Sequence, residues 1–409
     1  MASPRLRRGA EGGYGAAGPN GRYGSPMKAA KFAFGLICLA ILASDIVAMS
    51  RWSEARGVYD DICYLRQAHL FQRFGVSGLD TNAVRDDDRY FEGKMKEIGF
   101  AEWKDPIRWP CHNPMPDGKV VLQYPPGTGF LLALFPEGHQ VVPLYVAASL
   151  IVCALALSGI AMARTLSSVT GASLFGALAV YLMINPAKAS YSVPPTMALC
   201  AVAGLLTSLW LTRDKRSVWL IALIGLLLGL SVNFRLPNAL LAAGYFLILG
   251  IPFLWTRSLA TFVRGLAFGA GVLVGMAPTL AAQAINAGSA MATTYGSADV
   301  VAPVFDLAVF GQYLRDMQLV LMVLAVGATV WLLAAGEGHV RQAALVVVGN
   351  LAFNLGFFMS HPIFTPYYVV PITMLSLWTL SFAQLLRPVE ARAAASVRGQ
   401  PASLGVIPR

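Results

Sequence analysis

Ten runs of apolar residues divide the chain, at 32–49, 141–163, 172–185, 193–212, 217–234, 237–256, 262–283, 317–335, 342–359 and 366–386. Nine of them reach 18 residues or more, enough for a helix to cross about 30 Å of hydrocarbon, and 172–185 falls short. In hydrocarbon every backbone N–H and C=O must pair within the chain, which leaves helices as the economical solution for separate runs of this length. Charged residues make up 13% of the sequence against roughly a quarter in soluble domains, and hydrophobic residues make up 56%. A disordered chain, a collagen-like fibre and a small disulfide-stapled secreted domain are excluded. The sequence predicts an all-α polytopic integral membrane protein with about ten transmembrane helices, plus an external loop carrying amphipathic juxtamembrane helices.

Three segments follow from the pattern. Residues 1–28 are rich in Gly, Ala, Pro and Arg without apolar periodicity, and they read as a disordered cytoplasmic tail. The run at 32–49 reads as an uncleaved anchor, because a long flank precedes it and no A-x-A site follows. Residues 29–386 form the transmembrane domain with one long polar loop at 50–140, and 387–409 form a second disordered cytoplasmic tail. Gly127–Phe135 is apolar but too short to cross, so it reads as a re-entrant or interfacial element.

Net charge of +10 would suggest nucleic acid in a soluble protein, but here its placement explains it. With the N-terminus inside, the inside segments hold 17 Lys/Arg and four acids, and the other side holds 14 Lys/Arg and 17 acids. The positive-inside bias puts both termini in the cytoplasm and the long loop outside, and it leaves no nucleic-acid partner to invoke. Cys38, Cys153 and Cys200 fall in spans as small packing residues. Cys63 and Cys111 share the external loop, where either a disulfide or two free thiols is chemically allowed.

Little charge lies inside the spans. Asp45 falls near the outer end of the first span, where water would reach it, and Arg235 falls at an outer helix junction in Asn233-Phe-Arg-Leu-Pro-Asn238. Polar chemistry therefore converges on the outer face, a pattern suited to reaction at the membrane surface. In the loop, Asp60 or Asp61 caps an amphipathic surface helix that ends at Gly75, with Tyr64, Ala68 and Phe71 on one face and His69 beside them. Tyr124-Pro125-Pro126-Gly127 forces extended backbone before an apolar half-helix and reads as a cavity wall or lipid-tail contact. Asp86-Asp87-Asp88 reads as a solvated loop, and His112 as neither ligand nor substrate contact, so no metal site is expected. No phosphate-cradling Gly-Lys loop or dinucleotide fingerprint occurs.

These pieces resemble the GT-C glycosyltransferases, in particular the branch with the protein O-mannosyltransferases and the lipid A aminoarabinose transferase. Asp60-Asp61-Ile-Cys-Tyr64 with Gly75 resembles the opening of that family's first external loop, and Tyr124-Pro-Pro-Gly127 its proline motif. Gly229-Leu-Ser-Val-Asn-Phe-Arg235 and Asn286-Ala-Gly-Ser…Thr294-Tyr-Gly296 are similar to a Gly-Leu…Arg helix and an Asn…Gly…Tyr loop. Where the family often carries Arg-Tyr-x-x-Pro, this chain has Tyr367-Tyr-Val-Val-Pro371, and the acidic pair is Asp-Asp in place of the commoner Asp-Glu.

The resemblance implies an enzyme that moves a sugar from a polyprenyl-phosphate carrier to a hydroxyl of a glycan, lipid or protein acceptor, with inversion. It implies a place in a bacterial inner membrane with the catalytic loop periplasmic. Asp60 is then the general base, with Asp61 as the second member of the catalytic pair. Arg235, His361 or Lys188 binds the donor phosphate, and Tyr64, Tyr124, Pro125, Pro126, Tyr295 and Tyr368 line the substrate and lipid pocket. The resemblance names no certain cofactor and leaves a divalent cation open. The competing readings are a lipid-linked glycan flippase without chemistry and an oligosaccharide ligase or polymerase.

Overall fold

A computed structural model describes residues 24–54, 59–184, 190–212, 216–296 and 302–386. Most of the two predicted tails lies outside these residues, and α1 (Gly24–Met49) takes up the last part of the first one. The fold is all-α and polytopic. Among the described residues, nine helices are long and apolar enough to cross a membrane. They comprise α1, α5 (Val141–Met162), α6 (Leu166–Tyr181), α7 (Val193–Thr212), α9 (Ala243–Thr256), α10 (Leu259–Ala287), α12 (Gln318–Ala335), α13 (Gly338–Ser360) and α14 (Val370–Leu385), with short 3₁₀ extensions on α6, α9 and α14. The run at 217–234 is α8 (Val218–Val232), shorter than the other nine.

The short run at 172–185 becomes a full-length helix because α6 starts earlier than its apolar pattern. Thr165 Oγ1 accepts from the Ser168 N–H at 3.2 Å while Ser168 Oγ accepts from the Thr165 N–H at 3.0 Å, a reciprocal cap that carries the helix back to Leu166. The residues expected to form an inside loop are thus mostly helical.

Glycine lets α8 lie against α10. Gly225 and Gly229 of α8 face Gly271 and Gly275 of α10, and a Cβ at Gly229 would collide with the backbone of Val272. Two small-xxx-small stripes bring the backbones together, the packing that membrane helices use where no hydrophobic driving force separates helix from lipid. Gly229→Val is expected to lower stability by about 1–3 kcal/mol through overpacking, read as a lower thermal midpoint of the purified protein in detergent.

The long loop folds into a cap built from α2 (Tyr59–Phe74), α3 (Tyr90–Glu97), the hairpin β1 (His112–Pro114) with β2 (Val120–Leu122), and α4 (Gly127–Ala133). α2 was expected to rest one face on the membrane surface, yet Asp61 to Ala68 are buried without a break. It is the central post of the cap, with Ile62 and Cys63 packed among Phe91, Met95, Trp109 and Leu122. Gly75, at φ 56°, follows the last α-helical residue as predicted, and the chain continues into a 3₁₀ turn. Cys63 and Cys111 form a disulfide with Cα atoms 6.4 Å apart, tying α2 to the hairpin. The cap is joined to the bundle by Asn286, whose Oδ1 accepts from the Thr81 N–H at 2.9 Å and whose Nδ2 donates to the Leu79 carbonyl at 2.8 Å.

Arg66, fully buried, holds the cap interior. Its Nη1 donates to the Thr81 carbonyl at 2.9 Å and lies 3.1 Å from His112 Nε2, and its Nη2 donates to the Asn82 carbonyl at 3.0 Å. His112 Nδ1 lies 2.7 Å from the Pro110 carbonyl. Arg66 can only donate and a carbonyl can only accept, so the ring is neutral with its proton on Nδ1. Burial, and then the Arg66 charge, hold the His112 pKa well below its ordinary value. The unfolded chain takes up this proton near pH 6.5 and the folded chain does not, so protons favour unfolding. The cap is expected to keep its full stability above about pH 7 and to lose it as pH falls through about 6. Thermal midpoints measured across that range would show the loss, and His112→Gln would flatten it.

Asp86 departs from the predicted solvated loop. It is nearly buried, accepts from the Phe91 N–H at 3.0 Å at the start of α3, and stands 3.8 Å from Arg66 Nε. Asp87 pairs with Arg73 at 2.6 Å, and Asp88 with His69 at 2.7 Å. No group of three His, Cys, Asp or Glu side chains arranged to hold a metal occurs among the described residues.

Candidate active site

Where cap and bundle meet, Asp60 in the first turn of α2 faces Arg235, three residues past the end of α8. Asp60 Oδ2 and Arg235 Nη2 are 3.7 Å apart. The Tyr124 hydroxyl donates to Asp60 Oδ1 at 2.6 Å. Arg235 Nη2 donates to the Tyr367 hydroxyl, and the guanidinium carbon lies 4.7 Å from the Tyr367 ring centroid and 4.1 Å from that of Tyr368. Tyr64 and Tyr124 stack at 4.9 Å, and Tyr295 stands edge-on to Tyr124 at 6.4 Å. One carboxylate and one guanidinium thus share a cluster walled by tyrosines.

No family model, no curated protein and no solved structure matches this chain.

The two charged groups are not equivalent in access. Arg235 is 5% exposed, whereas Asp60 keeps 26% of its side chain open. Asp61 beside it is fully buried, so Asp60 is the acid that an incoming molecule can touch. Burial, and then the Asp60 charge, push the Tyr124 pKa well above its ordinary value, which keeps the phenol protonated as a donor to Asp60. Burial pushes the Tyr64 pKa up to about 12.

Arg235 is placed by the residue two before it. α8 ends at Val232, and Pro237, which has no N–H to donate back to the Asn233 carbonyl, lies at the start of the 3₁₀ segment Leu236–Ala242. At the end of α8, Asn233 Nδ2 donates to the Gly275 carbonyl at 2.7 Å, and its Oδ1 accepts from the Thr279 N–H at 2.9 Å and from Thr279 Oγ1 at 2.7 Å. Gly275 O and Thr279 N are the pair an unbroken helix joins directly, and Pro278 lies between them inside α10. The Asn233 amide therefore splices two helices at the level of the site. Its own carbonyl accepts from the Gly127 N–H at 2.7 Å, and a Cβ on Gly127 would collide with Asn233. Tyr124-Pro125-Pro126-Gly127 is thereby clamped to the segment that carries Arg235.

Of the predicted site residues, Asp60, Tyr64, Tyr124, Arg235, Tyr295 and Tyr368 come together in one cluster, with Pro125 and Pro126 buried next to Tyr124 in the chain. His361 is held elsewhere: its Nδ1 lies 2.6 Å from the Phe357 carbonyl and its ring packs on Phe357 at 4.2 Å. Lys188 lies outside the described residues. Asp45, expected at a watered interface, is 2% exposed within α1. Two residues of the site carry no role in the sequence pattern: Tyr367 stands where the resembled family often has an arginine, and Asn233 stands only within a motif. The signal for Asn233 is an amide two residues before an arginine at the end of an apolar run, with a proline inside another.

Proposed function

We propose that this protein is a membrane glycosyltransferase that moves a sugar from a polyprenyl-phosphate carrier to an acceptor hydroxyl, with inversion. The observation that carries the reading is the partly open Asp60 carboxylate 3.7 Å from the buried Arg235 guanidinium. The acceptor oxygen attacks the anomeric carbon, the bond from that carbon to the phosphate oxygen breaks, and Asp60 takes the acceptor proton. Positive charge that develops on the sugar is stabilised by the same carboxylate, and the departing phosphate carries its negative charge to Arg235. The Tyr367 hydroxyl, at the position where the resembled family often has an arginine, orients Arg235 in this scheme. Tyrosine faces suit a sugar, since they offer apolar area with polar edges.

The orientation belongs to the same proposal: a bacterial inner membrane, both termini cytoplasmic and the cap periplasmic. The Cys63–Cys111 disulfide supports it, because such bonds persist on the oxidising side. A second reading, passage of a lipid-linked glycan without chemistry, draws on Asp45, a carboxylate buried within a span. Genetic replacement separates the two. In a strain whose single copy carries Asp60→Asn, loss of the glycan is expected with the protein still inserted. Retained wild-type glycan would reject the catalytic assignment.

A further inference from the structure

The segment between α10 and α12 holds a nine-residue helix, α11 (Leu307–Arg315), whose surface divides into three stripes. Val309 and Tyr313 are buried against the end of α13, where the Tyr313 hydroxyl donates to the Phe358 carbonyl at 3.2 Å and to the Phe364 carbonyl at 3.4 Å. Gln312 and Arg315 are exposed on a polar stripe. Leu307, Phe310 and Leu314, at i, i+3 and i+7, form an exposed apolar stripe, with Leu307 87% exposed and Phe305 at 92% just before it. Asp306 caps the helix by accepting from the Ala308 N–H at 2.8 Å.

This apolar stripe does not stand alone. Only two residues separate α11 from Gln318, where α12 begins, and Met317, Val320 and Val323 carry the exposed apolar surface onward down α12. The stripe is therefore continuous with a face that, in a membrane-spanning helix, meets lipid. A short helix with buried, apolar-exposed and polar stripes, set at the mouth of a span, has the build of one lying in the plane of the membrane interface. Its inner side adjoins the Arg235 cluster: Phe364, which accepts from Tyr313, packs on Tyr368 at 4.8 Å, and Tyr368 lies 4.1 Å from the Arg235 guanidinium.

We propose that α11 is an interfacial docking helix, with Leu307, Phe310 and Leu314 seated in bilayer lipid, and that a lipid-borne substrate reaches Arg235 across it. The second half rests on the glycosyltransferase reading and the first half does not. Interfacial seating keeps the head group of a neighbouring lipid at the depth of Tyr368, so that a carrier arrives by diffusion in two dimensions.

The test uses nitroxide labels on cysteines at Leu307, Phe310, Leu314 and Gln312, one at a time, in the full-length protein in liposomes. The free cysteines Cys38, Cys153 and Cys200 are buried, and Cys63 and Cys111 are joined. Collisions with oxygen should exceed those with a water-soluble nickel chelate at the three apolar positions and fall below them at Gln312. Free access of the chelate to all four labels, or protection from both reagents by a protein partner, would overturn the placement. The double substitution Phe310→Asp with Leu314→Asp should raise KM for a full-length polyprenyl-phosphate sugar about tenfold, leave kcat unchanged, and spare a soluble short-chain donor. Equal losses with both donors would overturn the docking role. Failure of the unaltered protein to use any donor would defeat the glycosyltransferase reading and with it that role, while the labels still decide the interfacial placement.

Discussion

Asp60→Asn is expected to cut sugar transfer by about 10²–10⁴-fold, the range that a positioned general base contributes. Asparagine keeps the shape and still accepts from Tyr124, but it takes no proton and carries no charge to face the developing oxocarbenium ion. Because Asp60 is partly open and lies in the first turn of α2, away from the packed interior around Arg66, the substitution should leave the cap folded. Turnover with purified protein and a soluble acceptor measures the loss, and an unchanged thermal midpoint separates it from misfolding. Asp61→Asn at the buried neighbour should instead act on stability.

Arg235→Gln is expected to lower kcat by about 10²–10³-fold, since it removes the charge that meets the leaving phosphate. Arg235→Lys should restore only a small part. A lysine carries the charge but lacks the planar face that lies on Tyr367 and Tyr368. Steady-state kinetics over a range of carrier concentrations distinguish this from weakened donor binding alone, which would raise KM and leave kcat in place. Because Arg235 is buried, the thermal midpoint of each Arg235 variant is measured beside its kinetics, and Tyr367→Phe serves as the milder comparison that keeps the charge and the stack while losing one hydrogen bond.

Much of the architecture was legible because bilayer thickness imposes a length that apolar runs display directly. The start of α6 is not legible in the apolar pattern, since the Leu166–Gly171 stretch is rich in Ser and Thr and its helical state depends on the Thr165–Ser168 cap. α2 was legible as a helix but not as a buried one, because the groups that bury it, Phe91, Trp109 and Leu122, lie far along the chain. Asp60 and Tyr124 stood out through their motifs. Their junction with Arg235 did not, because it depends on the Asn233 splice into α10 and on the Gly127 contact, neither of which leaves a periodic trace. α11 went unseen for the same reason: nine residues with three stripes have no simple apolar period.

The most direct measurement is release of free polyprenyl phosphate when the purified protein is incubated with a panel of polyprenyl-phosphate sugars and acceptors, with and without chelator. Release from at least one donor is expected, coupled to a glycosylated product of inverted anomeric configuration, and absent with Asp60→Asn. Lack of release from every donor, or equal release by the Asp60→Asn protein, would contradict the glycosyltransferase reading.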